Sequence, residues 1–166
     1  MHPPDYLDLL RSPVTGVPLR WSAADSTLEG DPGERYGTSG STLLLHPDLP
    51  AASPRELPGA LHRWMVDRCY AGHNRSATIK AALRRVLGPL DSGGWGVNIG
   101  GGFTRLHDRL ITIDLEPRDE VDISADAHRL PFAEGSLDVV VVSEQRRAGA
   151  RWCHHNYWDR VSAGGD

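Results

Sequence analysis

Apolar residues in the second half of the chain fall into four short runs, each closed by glycine, aspartate or serine. Gly96-Val97-Asn98-Ile99 enters Gly100-Gly101-Gly102, Leu110-Ile111-Thr112-Ile113 ends at Asp114, and Val121-Asp122-Ile123-Ser124 leads into Ala125-Asp126. The fourth, Leu137-Asp138-Val139-Val140-Val141-Val142, follows the turn Glu134-Gly135-Ser136. Runs of this length and β-branched content predict strands, and Val139–Val142, which has no polar alternation, predicts a strand buried on both faces. Before them, Ala60 to Leu87 has helical spacing. Leu61, Trp64, Met65 and Arg68 form one stretch, Ile79, Leu83, Val86 and Leu87 another, with Gly72-His73-Asn74 between them. Gly88-Pro89 predicts the stop, since proline cannot continue the ladder and glycine accepts a left-handed cap.

The first 46 residues read differently. Asp5 to Leu10 predicts a short helix with Tyr6, Leu9 and Leu10 on one side, and Ser12-Pro13-Val14-Thr15-Gly16 predicts a turn. Pro18–Trp21 and Ser41–Leu45 are strand candidates on either side of a polar, Gly- and Asp-rich stretch. The expected unit is a small β-rich module with little core of its own. Pro47, Pro50, Pro54 and Pro58 then mark a linker. The expected organisation is a β module over residues 1–50, a helical linker over 51–92, an α/β unit over 93–145 and an atypical, disordered tail over 146–166.

Size and charge narrow the function. At 166 residues, the chain has room for one ordinary domain, or a small one with part of a larger one. A net charge of −4 argues against a general nucleic-acid or membrane-surface binder. No apolar stretch approaches the roughly 18–20 residues of a membrane span, and Met1-His2-Pro3-Pro4-Asp5 lacks the features of a signal peptide. Cys69 and Cys153 form no metal or disulfide framework, so a cytoplasmic location is expected.

Chemistry concentrates after the strands. Glycine is needed where a backbone turns sharply and a ligand must touch it, although Gly100–Gly102 alone also fits a plain tight turn. An acid at the carboxyl end of a strand, as at Asp114, can accept bonds from ribose hydroxyls; a helix cap or turn role is the alternative. A dinucleotide fingerprint fits less well. Its third glycine would fall on Arg105, and Asp114 comes too early for its acid.

The Gly-rich loop, the acid after the second strand and Asp126-Ala127-His128-Arg129-Leu130-Pro131-Phe132 together resemble the class I S-adenosylmethionine-dependent methyltransferases, of the type 11-like group. The resemblance implies an α/β fold with a partial Rossmann-like parallel sheet, strands one to four of that family. It further implies that Gly100, Gly101 and Gly102 lie against the methionine part of S-adenosylmethionine, that Asp114 holds the ribose hydroxyls and that Asp126 accepts the adenine amino group. The Ala127 amide would face an adenine ring nitrogen, Leu130, Pro131 and Phe132 would pack near the base, and Ser143 and Glu144 would face an acceptor that the sequence does not name. Asn98 stands where many members carry an acid. Only eight residues, Phe103 to Leu110, follow the glycines, short for a crossover helix. Leu10–Leu19 and Tyr36–Leu45 resemble the opening and the closing strand of a Trm112-type zinc ribbon, with Ser12 and Thr15 at cysteine positions. Hydroxyls are poor zinc ligands, so no metal is expected.

Beyond Gln145 the family pattern stops, and residues 146–166 are expected to be out-of-family sequence from a truncation or a frameshift. A sheet ending at the fourth strand would leave an apolar edge at Val139–Val142, a site for a protein partner. Cys153, His154 and His155, and the aromatic group Trp152, Tyr157 and Trp158, read as parts of a disordered tail. No residue stands out as a general base.

Overall fold

A computed structural model describes residues 4–46, 77–101 and 105–142. The expectations for the linker, the first helical stretch, Gly102, Ser143, Glu144 and the tail lie outside the described residues.

The protein is a mixed α/β structure built on a mostly parallel six-stranded sheet. In chain order the strands are β1 (Arg20–Ser22), β2 (Thr27–Glu29), β3 (Arg35–Tyr36), β4 (Thr38–Ser39), β5 (Thr42–Leu44), β6 (Gly96–Ile99), β7 (Leu110–Asp114), β8 (Ile123–Ser124) and β9 (Val139–Val142). Helix α1 (Ala77–Asp91) precedes β6. The order across the large sheet is β4-β5-β8-β7-β6-β9, and β1-β2-β3 form a separate antiparallel sheet. Every pairing in the large sheet is parallel except the β4–β5 hairpin.

The first segment is therefore built into the sheet. β5 pairs with β8 in register, Leu43 with Ile123 and Leu44 with Ser124. The Thr42 hydroxyl reaches the carbonyls of Val121 (2.8 Å) and Arg118 (3.1 Å). The Arg11 amide donates to Pro131 O and the Ala133 amide to Leu9 O, so the N-terminal strip grips the Leu130-Pro131-Phe132 segment from outside. One core joins Leu10, Leu19, Leu28 and Tyr36 to Val97, Ile99, Ile111, Ile113 and Ile123. The sequence reading missed β2, β3 and β4. They are two or three residues long, and each buries at most one side chain, so polar residues dominate the stretch.

Side chains alternate across a strand, so the central sheet has two unlike faces. Val97, Ile99, Ile111, Ile113 and Ile123 point to the N-terminal segment. On the opposite face, Leu110 and Val139 pack with Leu87 and Leu90 of α1, beside Leu83, Leu106 and Val141. The same face carries Asn98 and Thr112, paired in register and each 1% exposed.

Helix α1 corrects the expected stop at Gly88-Pro89: it runs through both to Asp91. In the last turn proline forfeits one backbone bond, and Gly88 offers no Cβ to clash with its ring. Burying Leu87 and Leu90 contributes about 3–6 kcal/mol together, enough to offset the roughly 3 kcal/mol cost of an interior proline. The chain instead leaves the helix at Gly93, whose φ is +103°. Val86 faces outward, 49% exposed, so among the described side chains Leu87 and Leu90 are buried and Leu83 packs beside them.

The expectation of a strand buried on both faces also needs correction. Val139 is buried, but exposure grows along β9 to 44% at Val142, because β9 is the last strand of the sheet among the described residues. The short β6–β7 connection is sufficient for parallel pairing. Ten residues span up to about 33 Å, well over the about 13 Å length of a four-residue strand. The return is pinned by Arg105 to Asp122 (2.6 Å) and His107 Nε2 to Asp91 (3.1 Å), while Arg109 lies over the Trp95 ring.

Candidate functional site

Parallel strands leave their carboxyl ends on one edge, and here the ends of β6, β7 and β8 are neighbours. Asn98, Gly100 and Gly101 come from the first, Asp114 from the second, and Asp126 and Ala127 from the chain just past the third. The sheet thus brings six of the sequence-selected residues to a common edge.

Gly100 has a φ of +74°, a region that side-chain-bearing residues rarely adopt, and its amide donates to Ile113 O at 2.7 Å. Gly101 is glycine for another reason. A Cβ there would collide with the Asn98 amide and stand 3.1 Å from Thr112 Cγ2. The backbone of the turn therefore lies directly on Asn98 and Thr112, with no side chain between them.

Asp114 is half-buried at the end of β7, beside Ser124 in register. Its Oδ1 accepts the Glu116 amide at 3.3 Å, and its carbonyl accepts the Ala125 amide at 3.1 Å. Asp126 Oδ1 accepts both the His128 amide (2.9 Å) and His128 Nδ1 (2.8 Å). Partial burial pushes the Asp126 carboxyl up. The bonds from His128 and the charges of His128 and Arg129 outweigh that push and hold it below the usual aspartate range. Leu130, Pro131 and Phe132 are buried, and Ala127 packs on the main core.

Two polar side chains that the sequence did not single out join this edge. Ser124, fully buried, donates to Leu115 O at 2.7 Å and lies 2.7 Å from His46 Nε2. His46 lies two residues past the end of β5, so the β5–β8 pairing brings it here. The one available signal was Ser124 standing two residues before Asp126. Leu115, 37% exposed, is an apolar surface next to Asp114.

In the N-terminal segment, Ser12 Oγ accepts the amides of Val14 (3.1 Å) and Thr15 (3.0 Å) and bonds the Tyr36 hydroxyl (3.1 Å). Thr15 and Tyr36 both reach Glu34 Oε2, at 3.4 and 3.5 Å. Hydroxyls and one carboxylate thus tie the turn to β3. Among the described residues, no group of three or more His, Cys, Asp or Glu side chains is placed to hold a metal ion. An open groove of about 440 Å³ lies beside this turn, lined by Val17, Arg20, Glu29, Asp31 and Glu34 among others. It contains none of the sequence-selected residues.

Compared with known proteins, the chain matches no family model, and no curated protein matches it. Among the described residues, no helix is long and apolar enough to cross a membrane.

Proposed function

We propose that the protein binds S-adenosylmethionine at the carboxyl ends of β6, β7 and β8 and acts as a methyltransferase on an acceptor yet to be identified. The observation that carries this reading is the convergence of a bare glycine turn, Asp114 and Asp126 on one edge of a sheet with the local order β8-β7-β6-β9. Numbered from β6, that is the 3-2-1-4 order of doubly wound nucleotide-binding sheets, in which ligands sit outside the strand ends.

The residues fit such a ligand. Asp114 keeps Oδ2 without a bond to any described residue, suited to a ribose hydroxyl. Asp126 is held as a carboxylate with Oδ2 likewise available for an amino group. Gly100 turns the chain in a positive-φ conformation, and Gly101 lays the turn closely on Asn98 at the end of β6. The bound group supplies an electrophilic methyl on a sulfonium; the chain's contribution is to hold it and to align an acceptor, and alignment is most of the catalysis. Asn98 places no negative charge beneath the glycine turn.

The test is calorimetric titration of the full chain with S-adenosylhomocysteine, with Asp114→Ala as control. Saturable binding that weakens at least about 10-fold in the control is expected, the scale of a lost charged hydrogen bond. A folded protein that takes up no ligand overturns the reading.

A second reading is favoured by β9. Among the described residues this edge is open, and Val142 is 44% exposed. A partner chain adding a strand there would make the protein an inactive binding or activator module. Absence of ligand binding together with a stable complex through that strand would favour it.

A further inference from the structure

We propose, building on the cofactor reading above, that His46 is a positioning residue for the ribose-binding carboxylate, acting through Ser124 on the backbone that follows Asp114.

Proton bookkeeping around Ser124 sets the roles. Its Oγ lies 2.7 Å from Leu115 O, a carbonyl that can only accept, so the single hydroxyl hydrogen is committed there. The same Oγ lies 2.7 Å from His46 Nε2, which must therefore carry a hydrogen and donate. Neutral His46 is thus the Nε2–H tautomer, and its buried Nδ1 is an acceptor that meets no donor among the described residues. Ser124 is 0% exposed, so no solvent competes for its hydroxyl.

The consequence falls on Asp114. Strand register sets Ser124 beside it, and the Ala125 amide holds its carbonyl. With the Leu115 carbonyl drawn inward to Ser124, the chain turns so that the Glu116 amide meets Asp114 Oδ1. Oδ2 is then left for a ligand, and the Leu115 side chain turns to the surface. Without the His46 donor, the buried Ser124 oxygen loses a partner, and its hydroxyl, no longer polarised by that bond, holds the Leu115 carbonyl less tightly. The inward anchor of the segment 114–116 would then weaken. The first segment thereby contributes to the site through a residue 78 positions away from the serine it holds.

The experiment titrates the full chain calorimetrically with two probes, S-adenosylhomocysteine and its 2′-deoxyribose analogue. The variants are His46→Leu, His46→Gln, Ser124→Ala and the His46→Leu/Ser124→Ala pair. Loss of the donor is expected to weaken S-adenosylhomocysteine about 10-fold, the scale of one buried hydrogen bond. It should also collapse the preference for the ribose over the deoxyribose probe. His46→Gln, whose amide can donate to Ser124, should restore most of both. The double variant should be no worse than the weaker single one, as expected for residues acting in series. Equal weakening of both probes, or no change in His46→Leu while the wild type binds, overturns the positioning role and leaves the cofactor reading standing. A wild type that binds neither probe overturns both.

Discussion

The Gly101 backbone occupies the space directly over the Asn98 side chain: any Cβ at 101 would overlap the Asn98 amide. Asn98 is 1% exposed and cannot swing aside, so the contact locks the glycine turn to β6. Gly101→Ala is expected to destabilise the fold by about 1–3 kcal/mol, the range for overpacking a buried site. Adding Asn98→Ala should recover part of that loss, since it vacates the contested space. Urea denaturation of the two single variants and the pair reads this as a non-additive cycle; strict additivity would contradict the contact.

Asp126 makes stability depend on acid. Its carboxyl is held below the ordinary aspartate range in the folded protein, so it contributes stability above the unfolded value of about 4 and loses it as pH falls through the lower folded value. The group is half exposed at its side chain, and solvent screening keeps the effect under about 1 kcal/mol. Asp126→Asn should flatten the acid limb of a plot of melting temperature against pH between about 5 and 3. An unchanged limb would show that His128 and Arg129 do not favour its charged form.

Tyr6 does the opposite at the alkaline end. Burial first, then the nearby Asp122 charge, raise its phenol above the ordinary range, against a smaller pull from Arg105. A raised value means that stability is complete below the unfolded value of about 10 and falls as pH rises toward the folded one. The ring meets Trp95 edge-on at 5.7 Å, a contact that phenylalanine preserves. Tyr6→Phe should therefore be near neutral at pH 7 and remove part of the alkaline loss in melting scans above pH about 10.

Leu90 secures the last turn of α1. It is 1% exposed and packs with Leu87, Leu110 and Val139. Leu90→Ala should cost about 2–4 kcal/mol in equilibrium denaturation, with helix signal lost first around Gly88-Pro89. A cost below about 1 kcal/mol would place the helix end elsewhere.

Legibility followed range. β6 and β7 could be read to within a residue because each is an apolar run with its own glycine or aspartate stop. Asp114 could be selected because it stands where a strand ends, and Asp126 because the Asp126–Phe132 string resembles a family motif. The end of α1 could not, because Gly88-Pro89 is a local stop signal, and the burial of Leu90 against β7 and β9 is a long-range gain. β2–β4 escaped notice because two- and three-residue strands leave no period to detect. His46 and Ser124 escaped because each is an ordinary polar residue until the other lies beside it.

The sequence alone determined the succession of β6, β7, β8 and β9, the glycine turn after β6 and the acids after β7 and β8, since these follow from local apolar runs and from short local motifs. Tertiary structure decided which strands would be neighbours. Backbone hydrogen bonds are the same for any strand, so the choice of β8 as the partner of β5 rests on contacts such as Leu43 with Ile123 and Thr42 with Val121, the last spanning 79 residues. That pairing joins the N-terminal segment to the parallel sheet and carries His46 to the edge where Asp114 stands.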